Sequence, residues 1–288
     1  MFTFLGTSAG EQYPGVWCNC QNCGKARRLG GRNIRRNSCA ALGDHTLLDF
    51  GPAVPLQLDQ QELSLFHVDT LLVTHSHDDH FMPWYLRWRY YPEGLATPPR
   101  GDEMGPTFTR PIPLVVYGNR LVQELTWQVI KEDPKNHHLE FVVLQAWKAV
   151  TTKHLVCIPI KANHDPRQEC FNFILNYQGK TILYATDTAA FLLETKEFLL
   201  DFKFDLVVME GTLGFNHNYD STAPGHSNFY VNRQTREWML EQGLISETTP
   251  FTITHTGPHF APPHEECAPL LAKWGLTLAY DGMQIALE

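Results

Sequence analysis

The sequence predicts a mixed α/β fold in which β-sheets are covered by helices. Apolar runs of strand length recur between turn signals, and two longer stretches carry a helical apolar face. Histidines and aspartates also follow directly on several of the apolar runs, which gives the sheets a rim able to carry chemistry. With 288 residues, 43% of them hydrophobic and 12% aromatic, the chain can bury one large core, and residues 1–288 read as a single domain.

In chain order, strands are expected at Phe2 to Leu5, Thr46 to Phe50, Leu71 to Thr74, Leu114 to Tyr117, Leu155 to Ile160, Asp205 to Met209 and Phe251 to Thr254. Phe171 to Asn176 and Thr181 to Ala185 flank Tyr177, Gln178, Gly179 and Lys180, which predicts a hairpin. Leu121, Leu125 and Val129 share one face of a helix over Leu121 to Glu132, and a second helix over Phe229 to Gln242 stops before Gly243. Tyr91 to Pro111 is too rich in proline and glycine for regular structure and reads as an insertion, either a solvated loop or an arm over the site. No apolar run approaches the length of a membrane span, and the start MFTFLGTSAG has no basic n-region, so a soluble, cytoplasmic protein is expected. A net charge of -8 argues against general nucleic-acid binding, which rests on neutralising phosphates, and leaves a small nucleotide as the nucleic-acid ligand to consider.

The segment THSHDDH places His75, His77, Asp79 and His80 after one strand. His164 follows LVCIPIKAN, Asp187 follows TILYAT and His255 follows PFTIT. Ligands at the ends of several strands can converge at one rim and be held rigidly there. Crowding such groups together costs repulsion and desolvation unless a cation compensates. Imidazole and carboxylate donors suit zinc, manganese or iron without choosing among them. Separately, WCNCQNC sets Cys18, Cys20 and Cys23 in one loop, spaced to share a metal whose fourth ligand comes from afar. No GxSxG nucleophile motif is present.

HSHDDH resembles the HxHxDH signature of the metallo-β-lactamase superfamily. LLDFG (Leu47 to Gly51), NHD (Asn163 to Asp165), TDT (Thr186 to Thr188) and THT (Thr254 to Thr256) follow in that family's order. The resemblance implies an αββα sandwich of two mixed β-sheets flanked by helices, with two divalent metal ions at one edge. His75, His77 and His164 would hold one metal and Asp79, His80 and His255 the other, with Asp187 bridging. Two such cations can share a water, lower its pKa and clamp the attacked oxygen, so a metal-bridging hydroxide would be the nucleophile.

The opening third, with its CxCxxC loop and following arginines, is similar to the PhnP-like phosphodiesterases of the phosphonate pathway, as are GHSN (Gly225 to Asn228) and AYDGM (Ala279 to Met283). This implies a structural zinc on Cys18, Cys20 and Cys23 with His259 as the fourth ligand. THTGPH is one residue longer than the family's motif, so His217, His226 and His264 stay open for that place. The same resemblance gives His226 contact with phosphate or protonation of the leaving oxygen, and with Asp79 it completes the expected catalytic pair. Glu210 stands where the family has an aspartate, with a side chain long enough to orient a metal-bound histidine.

The basic run Lys25, Arg27, Arg28, Arg32, Arg35 and Arg36 suits phosphate recognition or simple solvation. The aromatic run Phe81 to Tyr91 suits a pocket wall or helix packing, and its position after His80 puts at least one aromatic near the metals. The expected function is hydrolysis of a small, cyclic or linear phosphodiester, by a monomer or homodimer. The alternatives are ester or thioester hydrolysis on the same fold, and a non-hydrolytic role resembling the PqqB cofactor-pathway proteins. Transfer-RNA 3′ processing is disfavoured by the acidic charge.

Overall fold

The computed structural model describes residues 1–93, 110–218 and 221–287. Most of the insertion expected over Tyr91 to Pro111, residues 94–109, lies outside the described residues. One seven-stranded sheet contains β1 (Phe2–Gly6), β2 (Cys39–Leu42), β3 (Thr46–Leu48), β4 (Thr70–Leu72), β5 (Leu114–Gly118) and β6 (Leu139–Val143), with β14 (Gln284–Ile285) on its outer edge beside β1. The other, also seven-stranded, runs from β7 (Val150–Thr151) through β8 (Val156–Lys161), β9 (Phe171–Tyr177), β10 (Lys180–Ala185), β11 (Leu206–Glu210) and β12 (Phe251–Thr254) to β13 (Thr277–Leu278). Both are mixed: β3 to β6 and β10 to β13 are parallel, and the remaining neighbours pair antiparallel.

Side chains from the two sheets meet face to face. Phe2, Phe4, Leu48 and Leu72 of the first pack with Phe173, Tyr184 and Val208 of the second in one buried cluster. Each phenylalanine buried there contributes about 1.5–3 kcal/mol relative to exposure. Helices cover the outer faces. Val54 and Leu58 of α2 (Val54–Gln60) and Val122 of α3 (Arg120–Val129) pack with Leu47 and Leu71 on one side. On the other, Leu199 of α5 (Leu193–Leu199), Met239 of α6 (Phe229–Glu241) and Leu271 of α7 (His264–Ala272) pack with Leu183 and Ile253. The helices α1 (Gln21–Leu29) and α4 (Pro134–His137) complete the set. This is the αββα arrangement expected.

Local sequence accounts for most of the boundaries. The predicted hairpin forms as β9 and β10 with Lys180 opposite Tyr177; Gln178 and Gly179 both take positive φ (52° and 79°), as a two-residue turn between twisted strands requires. Asn119 and Asn228 cap α3 and α6 by accepting the backbone N–H of Val122 and Val231. The strand expected over Thr46 to Phe50 stops at Leu48 because Asp49 turns into the left-handed region at φ 66°. The sequence gives little sign of β2, since CAAL offers two alanines in place of large β-formers and is ordered by pairing between β1 and β3.

Candidate metal centre

Strand ends deliver the predicted side chains to one rim. His75 to His80 follow β4, His164 follows β8, Asp187 follows β10 and His255 follows β12. Asp187 and His255, like Asp49 after β3, have positive φ (48° and 49°), an uncommon conformation for residues other than glycine. The chain turns sharply where each leaves its strand. Gly51 lets the segment close up, since a Cβ there would meet the Asp79 carbonyl oxygen at 2.1 Å.

The seven residues form two groups, and within each group the ligand atoms lie within 4.8 Å of one another. His75, His77, His164 and Asp187 make one; Asp79, His80, His255 and Asp187 make the other. Asp187 Oδ2 is 3.3 Å from Nε2 of His75, His80 and His164, and Oδ1 is 2.9 Å from His255 Nε2.

Each imidazole is held by its other nitrogen. His80 Nδ1 donates to Asp49 Oδ2 (2.9 Å), His164 Nδ1 to the Gly225 carbonyl (2.9 Å) and His77 Nε2 to Asp165 Oδ2 (3.1 Å). Thr212 gives its hydroxyl proton to the His255 carbonyl (2.9 Å), so its oxygen accepts from His255 Nδ1 (2.8 Å). In the same way Thr74 donates to Asp49 Oδ1 (2.8 Å) and accepts from His75 Nδ1 (3.0 Å). In the neutral rings every nitrogen turned to the centre then carries a lone pair. Those of His80 and His255 face each other at 3.0 Å, and those of His77 and His164 at 3.1 Å. Buried His75 Nε2, 3.3 Å from Asp187 Oδ2, makes no well-formed hydrogen bond among the described residues. Lone pairs brought together at such distances repel unless a cation lies between them, and this donor set fits a metal in each group.

The electrostatics agree. Burial opposes charge on His80, yet Asp187, Asp79 and Asp49 raise it well above the usual histidine range; His255, buried against Asp187 and Asp79, rises to about 10. Burial lowers His75 to about 4, helped by His80. Asp187, although burial works against its charge, is held well below the carboxylate range by His255 and His80. The carboxylates thus demand positive charge, which protons or metals can supply.

The sequence pattern of the beta-lactamase superfamily domain matches residues 46–244. The chain belongs to the beta-lactamase superfamily. A diphosphatase of the PhnP family resembles it with a TM-score of 0.73 at 19% identity, covering 100% of this chain and 97% of that one. Zinc-bound PqqB from Methylobacterium extorquens gives 0.69 at 14% identity (99% of each chain), and human tRNase Z, short form, gives 0.65 at 18% (100% of this chain, 99% of that one). No curated protein sequence matches the chain. Among the described residues, no helix is long and apolar enough to cross a membrane.

In this superfamily member the centre opens into a pocket of about 320 Å³ lined by His77, Asp79, His164, Asp187, His226 and His255, with Glu11, Leu213 and Phe260 among the other walls. His226 donates from Nδ1 to Glu210 Oε1 (2.9 Å), and Glu210 also accepts the N–H of Thr188 (2.9 Å) and Thr212 (3.0 Å). Burial disfavours charge on His226, but Glu210 outweighs it and raises the pKa. Glu210 therefore orients His226, and the predicted contact with a histidine of the metal set is made by Thr212, Asp49 and Asp165 instead. Asp49 was visible only as part of LLDFG, and its role needs the fold that folds Thr74 and His80 over it.

Of two readings from the sequence, the first narrows away from phosphate recognition and the second changes. None of the basic residues from Lys25 to Arg36 lines the pocket; Arg36 bonds Gln12 Oε1, Arg27 the Gly15 carbonyl, and Arg35 is fully buried on Thr256 Oγ1. Nor does the run Phe81 to Tyr91 line it: Tyr85, Trp88, Tyr90 and Tyr91 face a separate apolar cavity of about 470 Å³, and Phe260 is the aromatic at the centre. The 3₁₀ helix Pro83–Arg89 explains the second change, because it carries the aromatics away from the strand ends.

Of the four residues expected to bind a structural zinc, Cys18, Cys20 and His259 come together, with ligand atoms within 4.8 Å. His259 Nδ1 lies 3.9 Å from Cys18 Sγ while Nε2 donates to Glu11 Oε2 at 2.8 Å. Cys23 stands outside this group, fully buried, with its sulfur accepting the Gly15 N–H at 3.3 Å. Among the alternatives, His226 lines the pocket of the metal centre, His217 packs near Tyr230 and His264 against Tyr280.

Proposed function

We propose that the chain is a hydrolase of small phosphodiesters that works with two divalent cations, zinc or manganese, with iron a third choice. His75, His77, His164 and Asp187 would hold one cation and Asp79, His80, His255 and Asp187 the other. The observation that carries this reading is the two facing pairs of ring nitrogens joined through Asp187. When bound, such cations supply an activated water and a positive clamp on phosphoryl oxygens.

The protein's own groups would do the rest. Asp79, partly exposed to the pocket, would accept a hydrogen bond from the attacking water and aim it. His226, charged through Glu210, would present its free Nε2–H to the leaving oxygen and protonate it as the P–O bond breaks. Among the described residues lysine and arginine are missing from the pocket lining, so the cations and His226 would neutralise the phosphoryl group. The pocket volume supports a small or nucleotide-sized substrate. Likeness to a diphosphatase and to tRNase Z supports phosphoryl chemistry, beside a likeness to PqqB of the same order. The Cys18, Cys20 and His259 group, completed by Cys23 turning from Gly15, would hold a structural zinc.

Turnover of bis(4-nitrophenyl) phosphate, an acyl thioester and an inorganic diphosphate should be compared with zinc or manganese added. The diester is expected to be cleaved fastest. Faster thioester cleavage would overturn the phosphodiester reading, and faster diphosphate cleavage would move it to phosphoanhydrides.

A further inference from the structure

The rim opposite the catalytic centre carries a second set of ligand-type side chains. His45 precedes β3, Asp69 precedes β4, and His154 lies in the turn between β7 and β8, so β4 and β8 each have one set of ligands at either end. The ligand atoms of His45, Asp69 and His154 lie within 4.8 Å of one another.

We propose that His45, Asp69 and His154 form a zinc site that clamps the two sheets together. Asp69 is the fixed member: its side chain is 8% exposed and accepts from His154 Nε2 at 2.7 Å and Thr70 Oγ1 at 2.9 Å. The His45 carbonyl accepts the N–H of both Asp69 (3.1 Å) and Thr70 (3.2 Å), which locks the two loop residues side by side. His45 Nδ1 donates to the His67 carbonyl (2.8 Å), so Nε2 carries a free lone pair. The imidazoles of His45 and His154 stack at 4.9 Å and 12°, held beside the same carboxylate.

Two imidazoles and one carboxylate are a common zinc donor set, with the fourth position left to water. Tetrahedral bonds of about 2.0–2.1 Å put donor atoms about 3.3–3.4 Å apart. Closing the remaining gap takes a rotation of the exposed His45 ring out of its stack on His154, which loosens the bond to the His67 carbonyl. Binding displaces the Nε2 proton of His154 to solvent, and zinc takes the place of that hydrogen bond. The Lys153 ammonium now on Asp69 Oδ2 (2.7 Å) belongs to a side chain 72% exposed, so releasing it costs little. Since Asp69 and His45 sit on the first sheet and His154 on the second, the ion would join the sheets.

Chelator-stripped protein and its double variant His45→Ala, His154→Gln should be equilibrated with zinc and their metal content measured. The wild-type chain is expected to hold one equivalent more than the variant; equal content would overturn the site. If the double variant fails to fold, NMR of the wild-type histidine rings during zinc titration gives the answer. His45 and His154 signals should shift together, and a titration that leaves both unmoved would overturn the proposal.

Discussion

The strand-end centre and the cysteine loop both bring metal-binding donors together, but they are built differently. His75, His80, Asp187 and His255 are at most 2% exposed, and every ring in the centre is anchored by a second hydrogen bond. In the cysteine loop, Cys18 and Cys20 are half-buried and His259 is exposed, held by Glu11 on its far side and by the long contact to Cys18 Sγ. The centre is therefore organised by the sheets themselves, whereas the loop, on the proposed reading, would gain order from its ion.

Asp187→Ala should break this contrast most severely. It removes the carboxylate shared by both groups, and turnover is expected to fall to background with both catalytic cations lost, as metal analysis and a diester assay would show. Next, His226→Gln should lower kcat by about 10²–10⁴-fold on a diester with a poor leaving group. The loss should be much smaller with a 4-nitrophenolate leaving group, which needs no proton; equal losses on both would remove the acid role. Asp49→Asn should leave the fold intact and weaken metal affinity by about 10–100-fold, read by competition with a chelator, because the anchor of His80 is lost.

Stability separates the regions further. Burial first, then the charges of Arg35 and Arg32, lower His264 to about 4 from an ordinary 6.5. The unfolded chain takes the proton more readily, so the stability tied to this group is complete above pH 6.5 and lost as pH falls towards about 4. The linkage is on the order of 3 kcal/mol, and His264→Gln should flatten the acid side of a urea-stability profile. The smallest effect is expected from Cys18→Ala: a lower Tm, by about 2–4 °C for each kcal/mol lost, with only a small change in kcat through His259, which lines the pocket wall. A large fall in kcat would show that the loop shapes the catalytic pocket directly.

The centre was legible because its chemistry is local at both levels. Each ligand follows an apolar run, and the ends of neighbouring strands are brought together by the sheet itself. The anchors were less visible. Glu210 meets His226 only once β11 and the loop before α6 are in place, and Thr212 reaches His255 across parallel strands. The aromatic run misled for the opposite reason: adjacency in sequence to His80 was outweighed by a short helix turning it toward another cavity. His45, Asp69 and His154 carry no common motif; the pairing of β3 with β4 and the packing of the two sheets assemble them.

The pocket lining also bears on what happens after bond cleavage. On the proposed reaction a diester enters with one negative charge, and the monoester it becomes gains most of a second. Glu11 stands among the walls with its carboxylate engaged by His259, so the added charge of the product would be met chiefly by the cations and His226. Hydrolysis would then tighten its own product's hold, and turnover would be governed by the newly formed anion leaving.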